Sequence, residues 1–405
     1  MSADAPAVSS LDRPVVVAWR NAVFAVFALN GFGLASWMSR VPAVRDALGA
    51  TTAQMGWVVF AIAVGSIIGL SSASHLLAGI GSRRTIALAV IVASLGLSII
   101  GIGAAAAGPV PVVVLGLALL GAGMGCCDVA MNVEGAAAER ELGRTVMPLF
   151  HAAFSGGTIA GALVGALAEW AGVSTAAHFT GVGVVVVVAL LLCVRFLHLD
   201  ALGAASSGEE HAHLGWRERL GMWTDRGTLL IGLIVLGMAF AEGSANDWLA
   251  LAMVDGHSVA NSTGAVIFGV FVTAMTAGRI AGVWFLDRYG RVPVLRATAG
   301  LAAAGLLIVI FVPSAAVATV GVVLWGLGAS LGFPVGMSAA ADDSRTATAR
   351  VSVVATIGYF AFLVGPPSIG FLGEAAGLLK ALLLVLILVA VAGLASPAAR
   401  ERSRA

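Results

Sequence analysis

Gly121-Ala-Gly-Met-Gly-Cys-Cys-Asp128-Val-Ala-Met-Asn132-Val-Glu-Gly-Ala-Ala-Ala-Glu-Arg140 carries a pattern that returns later in the chain. Its Gly121, Gly123 and Arg140 recur as Gly326, Gly328 and Arg345, a shift of 205 residues. The next apolar stretch obeys the same shift: Gly165, Glu169 and Gly172 recur as Gly370, Glu374 and Gly377. One offset shared by two neighbouring segments marks a duplication, so the chain reads as two related halves. Both copies lie in strongly apolar sequence, which makes each half a bundle of membrane helices. Duplicated bundles of this kind place a solute site near mid-membrane, between the repeats.

Composition supports that reading. Of the 405 residues, 60% are hydrophobic and only 11% are charged, far from the balance of a soluble protein. A helix needs about 20 apolar residues to cross a hydrocarbon core of about 30 Å. Twelve stretches qualify: 18–39, 54–77, 85–107, 110–136, 147–170, 175–197, 227–251, 262–285, 293–313, 315–338, 350–372 and 376–396. The expected fold is therefore an all-α membrane protein of twelve transmembrane helices in two six-helix halves. The weakest join, between the ninth and tenth stretches, is marked only by Pro313. The expected units are 1–198, a linker at 199–226, and 227–405.

Positive charge sets the orientation. Arginines such as Arg83, Arg84, Arg140, Arg226, Arg288 and Arg400 gather on one side, against Arg40, Arg45 and Lys380 on the other. Arg13 precedes the first of an even number of spans, so both termini are expected in the cytoplasm of a bacterial-type inner membrane. The net charge of +1 does not point to nucleic acid. The first apolar stretch is too long, and its lead too nearly neutral, for a signal peptide, so it is read as a retained span. Cys126, Cys127 and Cys193 all fall within spans and imply no disulfide framework.

Residues 199–226 are the one long polar segment, with His211 and His213 beside Glu209 and Glu210. Two histidines in such a segment are ordinarily solvated rather than metal-bound, and Trp216–Trp223 has the character of a short surface helix. The series Gly157, Gly161 and Gly165 lets helices approach closely; it speaks of packing, not chemistry.

Asp128 is the sharpest chemical signal. It lies inside the fourth span, and Phe333 stands at its repeat position. An ionised carboxylate is costly there, and a group that takes up and releases a proton is what proton coupling requires. Asn132 follows one helical turn later and shares its face, where an amide can orient the acid or hold a solute hydroxyl. The seventh span repeats the arrangement with Glu242 and Asn246. Asp247 and Trp248 lie nearer the outer surface and weigh less. Asn30, His151 and Tyr359 are further polar tips in apolar helices that can line a cavity or satisfy a neighbour. His151 is the best of the three because its titration range suits proton traffic. Arg40 is expected to snorkel to headgroups or to pair across an outer gate, while Glu134, Glu169 and Glu374 look structural. No nucleophile–base set, phosphate loop or metal-ligand cluster appears, so neither an enzyme nor a cofactor is implied.

Asp287-Arg288-Tyr-Gly290-Arg291 resembles the loop signature of the major facilitator superfamily. The matching first-half loop keeps Gly81, Arg83 and Arg84 but has Ala78 where the family has an acid. The resemblance covers nearly the whole chain. It implies that Asp287, Arg288 and Arg291 act in gating, by pairing on the cytoplasmic side when the cavity faces outward. Gly123-x-Gly-Cys-x-Asp128-x-Ala-x-Asn132 looks like the fourth helix of fucose-permease-type sugar–proton symporters, where an acid at that place is tied to proton coupling. That group has a further acid in its first helix, which this chain lacks. Ala35-Ser-Trp37-x-Ser-Arg40-x-Pro42, Glu242-Gly-x-x-x-Asp247-Trp248 and Gly365-Pro-Pro367 look closer to the YbjJ-type bacterial branch. Proton-driven drug exporters of the superfamily usually carry an Arg in the fourth helix and a Gly-Pro motif in the fifth, and both are missing here.

The expectation is a monomeric carrier in the lipid bilayer whose partners are protons and a small polar solute such as a sugar. Asp128 and Glu242 would couple protons, and Asn30, Asn132, His151, Asn246 and Tyr359 would contact solute. The competing expectation is proton-coupled efflux of a drug or metabolite.

Overall fold

The computed structural model describes residues 12–106, 109–142, 146–197, 221–342 and 346–400. Twelve helices among them are long and apolar enough to cross a membrane. Spans 1–6 are Arg13–Met38, Thr52–Ile80, Ser82–Ala105, Val110–Leu142, Leu149–Trp170 and Thr175–Phe196; spans 7–12 are Arg226–His257, Asn261–Tyr289, Arg291–Phe311, Ala315–Ala340, Ala349–Ala376 and Leu378–Ala399. A short helix, Val41–Leu48, lies between spans 1 and 2. The join at Pro313 is a real helix boundary, since span 9 ends at Phe311 and the Ser314 hydroxyl caps span 10 by accepting from the Val317 amide at 3.5 Å. Most of 199–226, including His211, His213 and the start of Trp216–Trp223, lies outside the described residues.

The duplication is visible in the packing. In the first half, span 5 lies on span 1, span 4 on spans 2 and 3, and span 6 on span 3. In the second half, span 11 lies on span 7, span 10 on spans 8 and 9, and span 12 on span 9. The halves meet where span 2 crosses span 11 and where span 5 crosses span 8, two contacts that exchange under the same two-fold relation.

The repeated glycines are the physical cause. Gly121 faces the span 2 backbone at Ile62 and Gly123 faces Ala89 and Ala93 of span 3; Gly326 and Gly328 face Phe271 of span 8 and Thr298 and Ala302 of span 9. A Cβ at any of the four would meet a neighbouring backbone. Between lipid-bathed helices the close approach supplies packing in place of a hydrophobic driving force. Gly157, Gly161 and Gly165 do the same for span 5 against Ala28, Phe32 and Ser39 at span 1 and its end. At the turns, Gly81 and Gly290 adopt matching backbones (φ 80°, ψ 168° and φ 78°, ψ 172°), a left-handed conformation that favours glycine.

Contacts between the halves cluster on the face away from the chain ends. Gly56 of span 2 and Gly370 of span 11 pack backbone to backbone, with Thr52 and Pro366 beside them. Gly269 of span 8 meets Ala162 of span 5. On the surface above, Arg45 of the short helix binds Asp255 at 2.5 Å, Asn261 donates to Asp46 at 3.0 Å, and the Ala53 amide donates to Glu374 at 3.3 Å. Burial alone would lower the Arg45 guanidinium, but hydrogen bonds to Asp255 and Asp46 outweigh it and hold it above its usual range. The latch is therefore ionic.

Candidate functional site

Spans 4 and 7 carry the acids at mid-depth. Glu242 stands at the midpoint of Arg226–His257, and Asp128 just beyond the midpoint of Val110–Leu142 toward the chain-end face. Asn132 donates through Nδ2 to the Asp128 carbonyl at 2.7 Å and to its Oδ1 at 3.3 Å, so the amide orients the acid as its spacing predicts. Both side chains are half-buried. Tyr359, 46% exposed on span 11 of the other half, lies within the field of the Asp128 carboxylate. His151 on span 5 is exposed, packs edge-on against Phe27 with ring centroids 5.3 Å apart, and lies within the field of Arg279 on span 8. Asp128 and Tyr359, and likewise His151 and Arg279, thus come within electrostatic reach of one another from different halves.

Arg279 is the residue that the sequence reading missed. Its Nη2 donates to both Glu242 oxygens at 3.0 Å, so Glu242 is not a lone acid but half of an ion pair. The Arg279 Nε donates to the Ser330 carbonyl at 3.3 Å. That carbonyl is available for a local reason. Span 10 is broken between Ala315–Ala329 and Gly332–Ala340, and the residue four beyond Ser330 is Pro334, which has no amide proton to return to it. A signal for Arg279 was present: it lies inside an apolar span, and intramembrane charge is costly and functional by default.

Other expectations fare differently. Asn30 is buried within the first half, where it donates to Met131 Sδ at 3.7 Å and lines a crevice with Leu29, Ser94 and Leu97. It lies among spans 1, 3 and 4 rather than between the halves. Arg40 neither snorkels nor bridges a gate: it is buried, pairs with Glu169 at 2.7 Å and donates to the Val173 carbonyl at 2.9 Å, all within the first half. Among the described residues, the cation paired across the halves is Arg45. Glu134 accepts from Trp19 Nε1 at 2.5 Å and from the Ser82 hydroxyl, a buried structural knot. Asn246 shares the half-buried exposure of Glu242. Arg291 donates to Asp342 at 2.6 Å and to the Ser338 hydroxyl at 3.0 Å, tying the turn at Gly290 to the end of span 10 in its own half. Ser82 at the matching turn of the first half ties to Glu134 of span 4 in the same manner. Asp287 and Arg288 lie in the last turn of span 8.

A duplicated twelve-span bundle with polar and charged groups at mid-depth in both halves is the architecture of a membrane transporter, not an enzyme. The family model described as the Major Facilitator Superfamily matches residues 23–366, and the chain belongs to that family. An uncharacterized MFS-type transporter of Yersinia pestis is 31% identical over 87% of this chain and 88% of its own length. The membrane protein MosC of Rhizobium meliloti is 28% identical over 93% of this chain and 89% of its own. Among solved structures, the nucleoside transporter NupG superposes with a TM-score of 0.72 at 13% identity, covering 95% of this chain and 98% of that one. The fucose:proton symporter FucP of E. coli superposes with a TM-score of 0.61 at 18% identity, covering 96% and 100%. An inward-facing bacterial homologue of Spinster reaches 0.74 at 14% identity, covering 97% and 100%.

Proposed function

We propose that this protein is a proton-coupled symporter that moves a small polar solute, sugar-like in its hydrogen bonding, by alternating access. The observation that carries the reading is Asp128, set at mid-depth with Asn132 on its carboxylate and with Tyr359 of the other half within reach of its field. A carboxylate neutralised by a proton no longer opposes closure of the cavity around it. The likeness to structures of a fucose:proton symporter and a xylose–proton symporter supports this direction of coupling, and that to a nucleoside transporter widens the range of polar solutes. The YbjJ-type resemblance supplies topology and no substrate.

The face bearing the chain ends is read as cytoplasmic, and the clustered contacts on the opposite face make this the inward-facing state. In this state Arg291 is engaged with its own half, and gating by Asp287, Arg288 and Arg291 belongs to the outward-facing state.

The test is proton movement in proteoliposomes holding an internal pH dye and challenged with solute under no imposed gradient. Symport acidifies the lumen. Alkalinisation would establish exchange and put efflux first. Asp128→Asn is expected to abolish uphill accumulation while sparing solute exchange, and undiminished accumulation in that variant would overturn the assignment.

A further inference from the structure

Arg279 is held on two of its three nitrogens. Nε is fixed by the Ser330 carbonyl that Pro334 leaves open, and Nη2 is fixed by both oxygens of Glu242. Nη1 has no hydrogen-bond partner among the described residues, and the side chain is 37% exposed. An arginine retained only for packing would be expected to turn its remaining donors into the protein, because intramembrane cations are costly unless paired. Here the anchoring fixes the plane of the guanidinium and leaves one edge without a partner among the described residues, with His151 of the other half within its electrostatic reach. A broken helix that lends a backbone carbonyl at mid-membrane is a recurrent way to build such a place.

We propose that Arg279 is a solute-reading residue, its Nη1 edge donating to an oxygen acceptor of an uncharged, hydroxyl- or carbonyl-bearing solute. The assignment rests on the transport reading above and narrows its solute class. The charge of the solute follows from the neighbours. An anion drawn to Arg279 would sit against Glu242, which already neutralises it. A cation would meet donors rather than acceptors at the presented edge. An uncharged oxygen meets neither penalty. The role is also specific to arginine: a lysine is a compact point charge that cannot hold a carbonyl, a carboxylate and a solute in one fixed plane.

The experiment uses full-length protein in proteoliposomes with L-fucose, D-xylose and uridine as uncharged probes, D-glucuronate as an anion and D-glucosamine as a cation. Uptake and lumen pH are recorded together. At least one uncharged probe is expected to be taken up in preference to both charged ones. Preference for glucuronate or glucosamine, or uptake of none of the five, overturns the proposal. With the transported probe, Arg279→Lys is expected to raise KM at least tenfold while kcat changes less than threefold. The double variant Arg279→Met/Glu242→Leu separates anchoring from structure. A merely structural ion pair tolerates replacement by apolar residues of similar size, so recovery of the wild-type KM would overturn the proposal. A KM that stays raised in protein with an unchanged melting temperature supports it. Failure of the coupling reading looks different: uptake without lumen acidification, with the Arg279 effect on KM intact.

Discussion

Replacing Gly56 with leucine should push the two halves apart on the face away from the chain ends. A Cβ at Gly56 would lie 3.0 Å from the Pro366 carbonyl oxygen and 3.2 Å from the Cα atoms of Pro367 and Gly370. All three neighbours are backbone atoms of span 11, so none can swing aside as a side chain would. Overpacking of this kind costs about 1–3 kcal/mol. The cost falls only on the state in which spans 2 and 11 cross tightly, so it becomes a shift in the conformational equilibrium of about 5–150-fold. If the closed arrangement held about nine-tenths of the molecules, a shift of 2 kcal/mol would leave it about a quarter. Electron–electron distances between spin labels at Ala50→Cys and Ala260→Cys read that face, and a pair at Arg84→Cys and Tyr289→Cys reads the other. The first distance should lengthen and the second shorten, with the melting temperature held to show that the bundle is intact. Unchanged distributions at both pairs would refute the idea that this glycine crossing closes the opposite face.

Two further perturbations test neighbouring features. Arg45→Ala removes the ionic latch to Asp255, a pair with side chains 17% and 32% exposed; the loss is about 0.5–1 kcal/mol, so the same label pair should lengthen by a smaller population shift that high salt mimics in the native protein. No salt dependence and no shift would count against the latch. Glu134→Ala strips the acceptor from Trp19 and Ser82, both buried. Losing hydrogen bonds of this kind costs about 0.5–1.5 kcal/mol each, seen as a lowered melting temperature in detergent, whereas an unchanged transition would show that the knot is dispensable.

The architecture was legible because it rests on signals that repeat. Apolar windows long enough to span, and glycines recurring at one offset, report helix number and helix packing directly. The i, i+4 spacing of Asp128 and Asn132 likewise survives in the structure, since a helix fixes that relation locally. What the sequence could not disclose are relations between helices. Asn30 and Tyr359 look alike as polar residues in apolar stretches, yet one is 6% exposed inside a bundle and the other 46% exposed at its boundary. Arg40 and Arg45 are five residues apart, and only the turn between span 1 and the short helix sends one to Glu169 and the other to Asp255. Glu242 was read without its partner because Arg279 is 37 positions away on another helix.

The duplication divides cleanly into what is kept and what is lost. The glycine contacts of span 4 reappear in span 10, and the turns at Gly81 and Gly290 have nearly the same backbone. The acid at mid-depth does not repeat. Phe333 stands where Asp128 has its repeat position, and the break beside Pro334 in span 10 has its counterpart in an unbroken span 4. Two similar rigid halves suit a motion in which one rocks against the other, because the contacts 2·11 and 5·8, which exchange under the two-fold relation, can loosen together on one face while the helices close on the other. A solute, however, has no two-fold axis to match. The half that carries Asp128 and Asn132 and the half that carries Glu242, Arg279 and Tyr359 would, on the proposed reading, present different chemistry to its two sides. On the proposed reading, symmetry in the scaffold serves the movement, and its loss at the centre lets the site distinguish one end of a solute from the other.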